Sequence, residues 1–179
     1  MQWNLITDSE IQHLTVPDRI LAYAHAYLSA ASSLCNQMNR NSETATWPHS
    51  AVVLMLSAHA VELFIKGSIL KRKPNAEIEH HRIDDLAAEY KATFPEDIYN
   101  WDIPFRCDYS AFTESEAAIL KKKTPFPSML YRYPVGKGWS DWKGVFGFEP
   151  STYETSLAAL ERDFRRLEEK QITILSIAT

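Results

Sequence analysis

Residues 49–73 read HSAVVLMLSAHAVELFIKGSILKRK, and this stretch decides the fold. Apolar residues dominate it. Three polar residues near its middle, His59, Glu62 and Lys66, fall at i, i+3 and i+7, which places them in one narrow stripe of a helix. A long apolar helix with a single polar stripe is the central helix of a bundle, covered on most sides by its neighbours. Residues 50–71 are therefore predicted to be the most buried helix, with Leu63 in the core. Ser57, His59, Glu62 and Lys66 interrupt the run from Ala51 to Leu70, so it reads as too polar for a membrane span of about 20 mostly apolar residues.

Working outward, Thr15-Val16-Pro17-Asp18 is a helix start, with Thr15 as cap, proline in the first turn and an acid at the positive end of the dipole. That helix is predicted to run to about Met38 and to bury Ile20, Leu21, Ala24, Tyr27, Leu28, Ala31 and Leu34. Ahead of it, residues 1–14 form a short helix or irregular arm that packs Trp3, Leu5 and Ile11 on the body. Thr46-Trp47-Pro48 opens the central helix, again with a threonine cap, and the polar loop between the two long helices implies an antiparallel pair. Lys71-Arg72-Lys73 suits the negative end of the central helix, and Pro74 stops it. A shorter helix from Ile83 to about Thr93 turns Ile83, Leu86, Ala87 and Tyr90 to one side.

Residues 96–112 are aromatic-rich without a period and read as an ordered irregular excursion. Thr113-Glu114-Ser115-Glu116 is a capping box that opens a helix to about Lys121. Met129–Tyr133, followed by Gly136-Lys137-Gly138, predicts a strand or hairpin pair. Ser151-Thr152-Tyr153-Glu154 is a second capping box for a helix to about Lys170 with Leu157, Leu160, Phe164 and Leu167 inward; the tail extends that helix or adds a strand. The fold class is mainly α: residues 1–179 as one helical-bundle domain, with three long helices, shorter ones, and an aromatic-rich loop or hairpin insertion over about 95–150.

The chain of 179 residues is 45% hydrophobic and 23% charged, which is long and apolar enough for a proper core. A formal net charge of −4 provides no global basic field, so a polyanion ligand needs a local basic patch. Cys35 and Cys107 make neither a disulfide framework nor a zinc spacing, and the N-terminus lacks the pattern of a signal peptide; both point to a cytoplasmic protein with no membrane association. Glu10 with His13 and Glu77 with His80 have the Glu-x-x-His spacing of di-iron bundles, but they lie in an arm and a turn rather than on long helices. With no His-Glu-x-x-His, Cys-x-x-Cys or glycine-rich phosphate loop, no metal and no cofactor is expected.

Glu62-Leu63-x-x-Lys66 with its apolar flank, His81 ahead of the short Ile83-x-x-Leu86 helix, and Tyr131-Arg132-Tyr133-Pro134 before the last helix resemble the HEPN domain, a helical-bundle family widespread in prokaryotes. His59 stands where the family usually has alanine. The resemblance implies a homodimer that binds RNA or a nucleotide. It also implies an alternative, a non-enzymatic helical interaction module whose partner is a nucleotidyltransferase or an antitoxin, as in toxin–antitoxin pairs. Many HEPN proteins are metal-independent RNases with an arginine and a histidine separated by four to six intervening residues on a late helix. Here only Arg19 and His25 have that spacing, on the first long helix and with apolar Ile20 after the arginine; no arginine from Arg82 onward has a histidine downstream. The expectation is a HEPN-like RNA or nucleotide binder whose RNase activity is degenerate or lost.

The ligand-binding candidates are Arg132, Tyr131, Tyr133, Lys66, His59, Glu62 and His81. Residues 126–148 carry Arg132, Lys137 and Lys143 against Asp141, a locally basic segment interleaved with Trp139 and Trp142. Rings beside cations can stack bases and hold phosphates. Lys66 and His59 are expected as the floor beneath Arg132. The competing expectation is structural: Arg132 or Tyr133 neutralises a buried Glu62.

Overall fold

A computed structural model describes residues 5–107, 109–141 and 146–177, with only the backbone described for residue 137 and residues 172–177. Trp3, Trp142 and Lys143 lie outside the described residues. The helices are α1 (Ser9–Gln12), α2 (Val16–Arg40), α3 (Trp47–Arg72), α4 (Ile83–Thr93), α5 (Glu114–Lys123), α6 (Pro127–Leu130) and α7 (Pro150–Ile177). The chain is a mainly helical bundle, and no strand occurs among the described residues.

α3 is the axis of the bundle. Its buried residues point in every direction around the helix, from Val53 and Ala58 through Val61, Phe64, Ile65 and Ile69, because α2, α4, α6 and α7 all pack on it. It is long and apolar enough to cross a membrane by length and composition, and 61% of its most apolar window is buried inside the protein. α2 runs antiparallel to it: the Lys71 ammonium near the end of α3 meets the Asp18 carboxylate at the start of α2 at 2.9 Å. Gly67 permits the close approach. A Cβ there would stand 2.8 Å from Leu21 Cγ and 3.3 Å from the Pro17 carbonyl oxygen.

α2 buries Leu21, Ala24, Leu28, Ala31, Cys35 and Met38, leaving Ile20, Tyr27 and Leu34 at the margin. Leu63, expected in the core, is only partly buried; Phe64 beside it is fully buried. The Phe64 ring stacks on Phe164 of α7 with centroids 3.8 Å apart, and Trp101 sets its edge against both. The irregular segment after α4 therefore belongs to the core: Tyr99 and Ile103 are buried with Phe94. Arg166 of α7 fastens it by donating to the Ile98 and Asn100 carbonyls at 2.8 and 2.9 Å.

Helix starts follow local chemistry, with three corrections. Thr15 caps α2, and Thr113 with Glu116 forms the expected capping box of α5. Thr46, expected to cap α3, instead hydrogen-bonds His49 Nδ1 at 2.7 Å and makes no side-chain cap bond. Ser151 and Glu154 do not box α7. Glu149 accepts from the Ser151 hydroxyl at 2.7 Å and from the Thr152 and Ser151 amides at 2.6 and 3.2 Å; the Ser151 and Thr152 side chains first, and then these amides, hold its carboxyl down to about 2. Glu154 is thereby free to accept from Asn36 and Asn39 of α2. The third correction is Leu5, which is 89% exposed rather than packed on the body.

The strand or hairpin predicted around Met129–Tyr133 is absent, and α6 occupies its first residues. Pro127, with its φ preset for the first helical turn, starts that helix, and Pro134 cannot donate to a ladder. The tail follows α7, whose backbone is helical to Ile177.

Candidate functional site

The structure separates the predicted residues into two places. The first is a buried carboxylate on α3. Glu62 is 4% exposed, and its Oε1 accepts from Lys66 Nζ at 3.0 Å and from His81 Nδ1 at 2.9 Å. His59 Nδ1 stands 3.7 Å from Oε2, beyond hydrogen-bond length. Burial alone would raise the Glu62 pKa, but the two histidines and Lys66 outweigh it and hold the carboxyl down to about 2. Helical spacing brings His59, Glu62 and Lys66 together; the turn before α4 brings His81 back across them.

That geometry has a chemical consequence. An ionised carboxylate cannot donate, so the His81 Nδ1 facing it carries the proton. In the neutral ring, Nε2 then keeps its lone pair, on a side chain that is 64% exposed. A buried carboxylate that fixes the tautomer of a solvent-facing imidazole is an arrangement able to take up or release a proton.

The second place is a pocket of about 560 Å³ at the N-terminal end of α3. Trp47, Ala51 and Val52 line it from α3, and Tyr131, Arg132, Tyr133 and Phe146 from the insertion, with Asp141 also present. Phe146 stacks on Trp47 (6.0 Å between centroids, 19° between planes) and meets Tyr131 edge-on. Burial pushes the Tyr131 hydroxyl above its ordinary range. Arg132 is exposed and makes no ion pair or hydrogen bond among the described residues. Trp139, also expected here, is 88% exposed and does not line the pocket.

Arg132 therefore neither caps a cleft floored by Lys66 and His59 nor neutralises Glu62. The carboxylate is satisfied by Lys66 and His81, and it lies eleven residues along α3 from Ala51, about 16 Å at the helical rise. Trp47 and Phe146 form walls of the pocket that sequence reasoning missed. Trp47 read only as part of a helix start, and Phe146 only as one aromatic among many.

Comparison of the chain with protein-family models, curated proteins and solved structures finds no match.

The remaining motifs fall elsewhere. Arg19 and His25 point to different neighbours: Arg19 lines a groove with His59 and Leu63 of α3, whereas His25 Nε2 meets Glu168 of α7 at 3.0 Å. Cys35 is a buried free thiol whose pKa is pushed up to about 11, chiefly by burial, so it is no nucleophile. Among the described residues no three His, Cys, Asp or Glu side chains are grouped to hold a metal ion.

Proposed function

We propose that this protein binds RNA or a nucleotide, with the pocket beneath Arg132 taking a base and its phosphate. The observation that carries this reading is an exposed guanidinium, unpaired among the described residues, at a pocket walled by Trp47, Tyr131, Tyr133 and Phe146. Aromatic faces accept any base, and a guanidinium grips a phosphate bidentately. The HEPN resemblance supports the same ligand class.

Arg132→Ala tests the reading. Because the side chain is exposed and unpaired, the variant is expected to melt with the wild type. It is expected to lose about tenfold or more in affinity for a short single-stranded RNA, the cost of a charge-assisted contact. Raising salt should weaken the wild type by counterion release and the variant less steeply. Unchanged RNA affinity in Arg132→Ala would end the proposal.

A second reading, a non-enzymatic module that docks a protein partner such as a nucleotidyltransferase or antitoxin, is favoured by one observation. Trp139 is 88% exposed and lies outside the pocket, so its ring is open for such a partner to cover. Trp139→Ser abolishing capture of such a partner, with RNA affinity intact, would select it.

A further inference from the structure

We propose that the groove between α2 and α3 is a second binding site, for a small amphipathic anion: a carboxylate or phosphate head on a short aromatic or aliphatic body. Arg19 carries the argument. Three arginines are partly buried among the described residues, Arg19, Arg82 and Arg166. Arg82 and Arg166 each pair with a carboxylate, Asp84 and Asp163 respectively, and also donate to backbone carbonyls. Arg19 has no such partner among the described residues for any of its side-chain nitrogens, and its Nε, like that of Arg82, is buried without a hydrogen bond. A buried, unsatisfied charged donor is disfavoured unless something supplies the acceptor.

The surroundings define that acceptor. The groove, about 440 Å³, is lined by Arg19, Tyr23, Tyr27, His59 and Leu63 with Val16 at the start of α2, and no carboxylate lines it. The nearest acid in sequence, Asp18, is held by Lys71 and Thr15. The groove therefore presents an uncompensated positive charge against apolar walls. Tyr23 and Val16 remain about half exposed there, at 51% and 54%, as surface left for a ligand's body to cover. His59 adds a ring set edge-on to Tyr27 at 4.6 Å, while its Nδ1 faces the Glu62 carboxylate at 3.7 Å and takes no part in holding the anion. No residue is shared with the pocket beneath Arg132, so this site stands apart from the RNA or nucleotide reading.

The test titrates the full chain with phenyl phosphate, with benzoate and, as uncharged control, with phenol, following the Tyr23, Tyr27 and His59 ring resonances by NMR. One or both anions are expected to shift all three rings saturably, and phenol is not. Arg19→Gln is expected to weaken anion binding by about tenfold or more, the fold-change that goes with losing one charge-assisted hydrogen bond. Should Arg19→Gln melt early, Tyr23→Ala, which removes a half-exposed wall, is expected to lower affinity at unchanged melting temperature. Phenol shifting the rings as strongly as the anions would overturn the proposal, and so would unchanged anion affinity in a folded Arg19→Gln or in Tyr23→Ala.

Discussion

Glu62 is a charge that the fold has taken out of water and surrounded with donors. Its folded pKa of about 2 lies below the ordinary 4.5, so its contribution to stability is complete above pH 4.5 and is lost as pH falls toward 2. The shift corresponds to about 3 kcal/mol. Glu62→Gln leaves the Lys66 ammonium without its counter-charge and is expected to lower the melting temperature markedly at neutral pH. The gap between wild type and variant should then close between pH 4.5 and 2. A gap that stays constant over that range would show that Glu62 does not titrate differently on unfolding. Other depressed carboxyls, Glu149 among them, titrate in the same window, which is why the difference between the two proteins is the quantity to measure.

At the scale of elements, α3 is held by packing that tolerates neither a gap nor an addition. Phe64→Ala empties the space between Phe164 and Trp101 and is expected to cost about 3–5 kcal/mol. Gly67→Leu drives a side chain into Leu21 and the Pro17 carbonyl and is expected to destabilise by more than the usual 1–3 kcal/mol or so of overpacking. Thermal melts of both variants check the placement; a wild-type-like Gly67→Leu would contradict the close approach of α2. The three long helices, α4 and α5 were legible in the sequence because their signals are local: period, proline at the first turn, glycine-poor apolar runs; α6 was not, since its residues read as a strand or hairpin. Leu63 was not, since a helix covered on nearly all sides gives no periodic hint of which residue sits at the margin. Glu154 was misread because its capping-box spacing could not reveal Asn36 and Asn39 waiting on another helix. The candidate site divides in the same way. His59, Glu62 and Lys66 could be grouped by helical spacing alone, whereas His81 and the Trp47–Phe146 wall depend on chain returns that no local pattern encodes.

For the whole molecule, the resemblance to HEPN proteins implies a homodimer, and α2 leaves Ala26 and Ala30 exposed among its small residues. Sedimentation is expected to show a species of twice 20.5 kDa at tens of micromolar; a monomer alone at that concentration would count against it. The three long helices, α4 and the segment around Tyr99 share one hydrophobic core, whereas α5 buries no residue of its own. α5 is instead tied to the bundle by Arg82, whose guanidinium donates to the Lys121 and Thr124 carbonyls at 3.0 Å each and to the Tyr109 hydroxyl, and by Lys121 on Asp85.

A segment moored, among the described residues, by these polar contacts opens at a cost set by them rather than by the stability of the core. Proteolysis follows from that. Lys121, Lys122 and Lys123 lie at the mooring itself, and in Arg82→Ala trypsin is expected to cut there well before it reaches the core helices, releasing a nicked chain whose bundle still melts cooperatively.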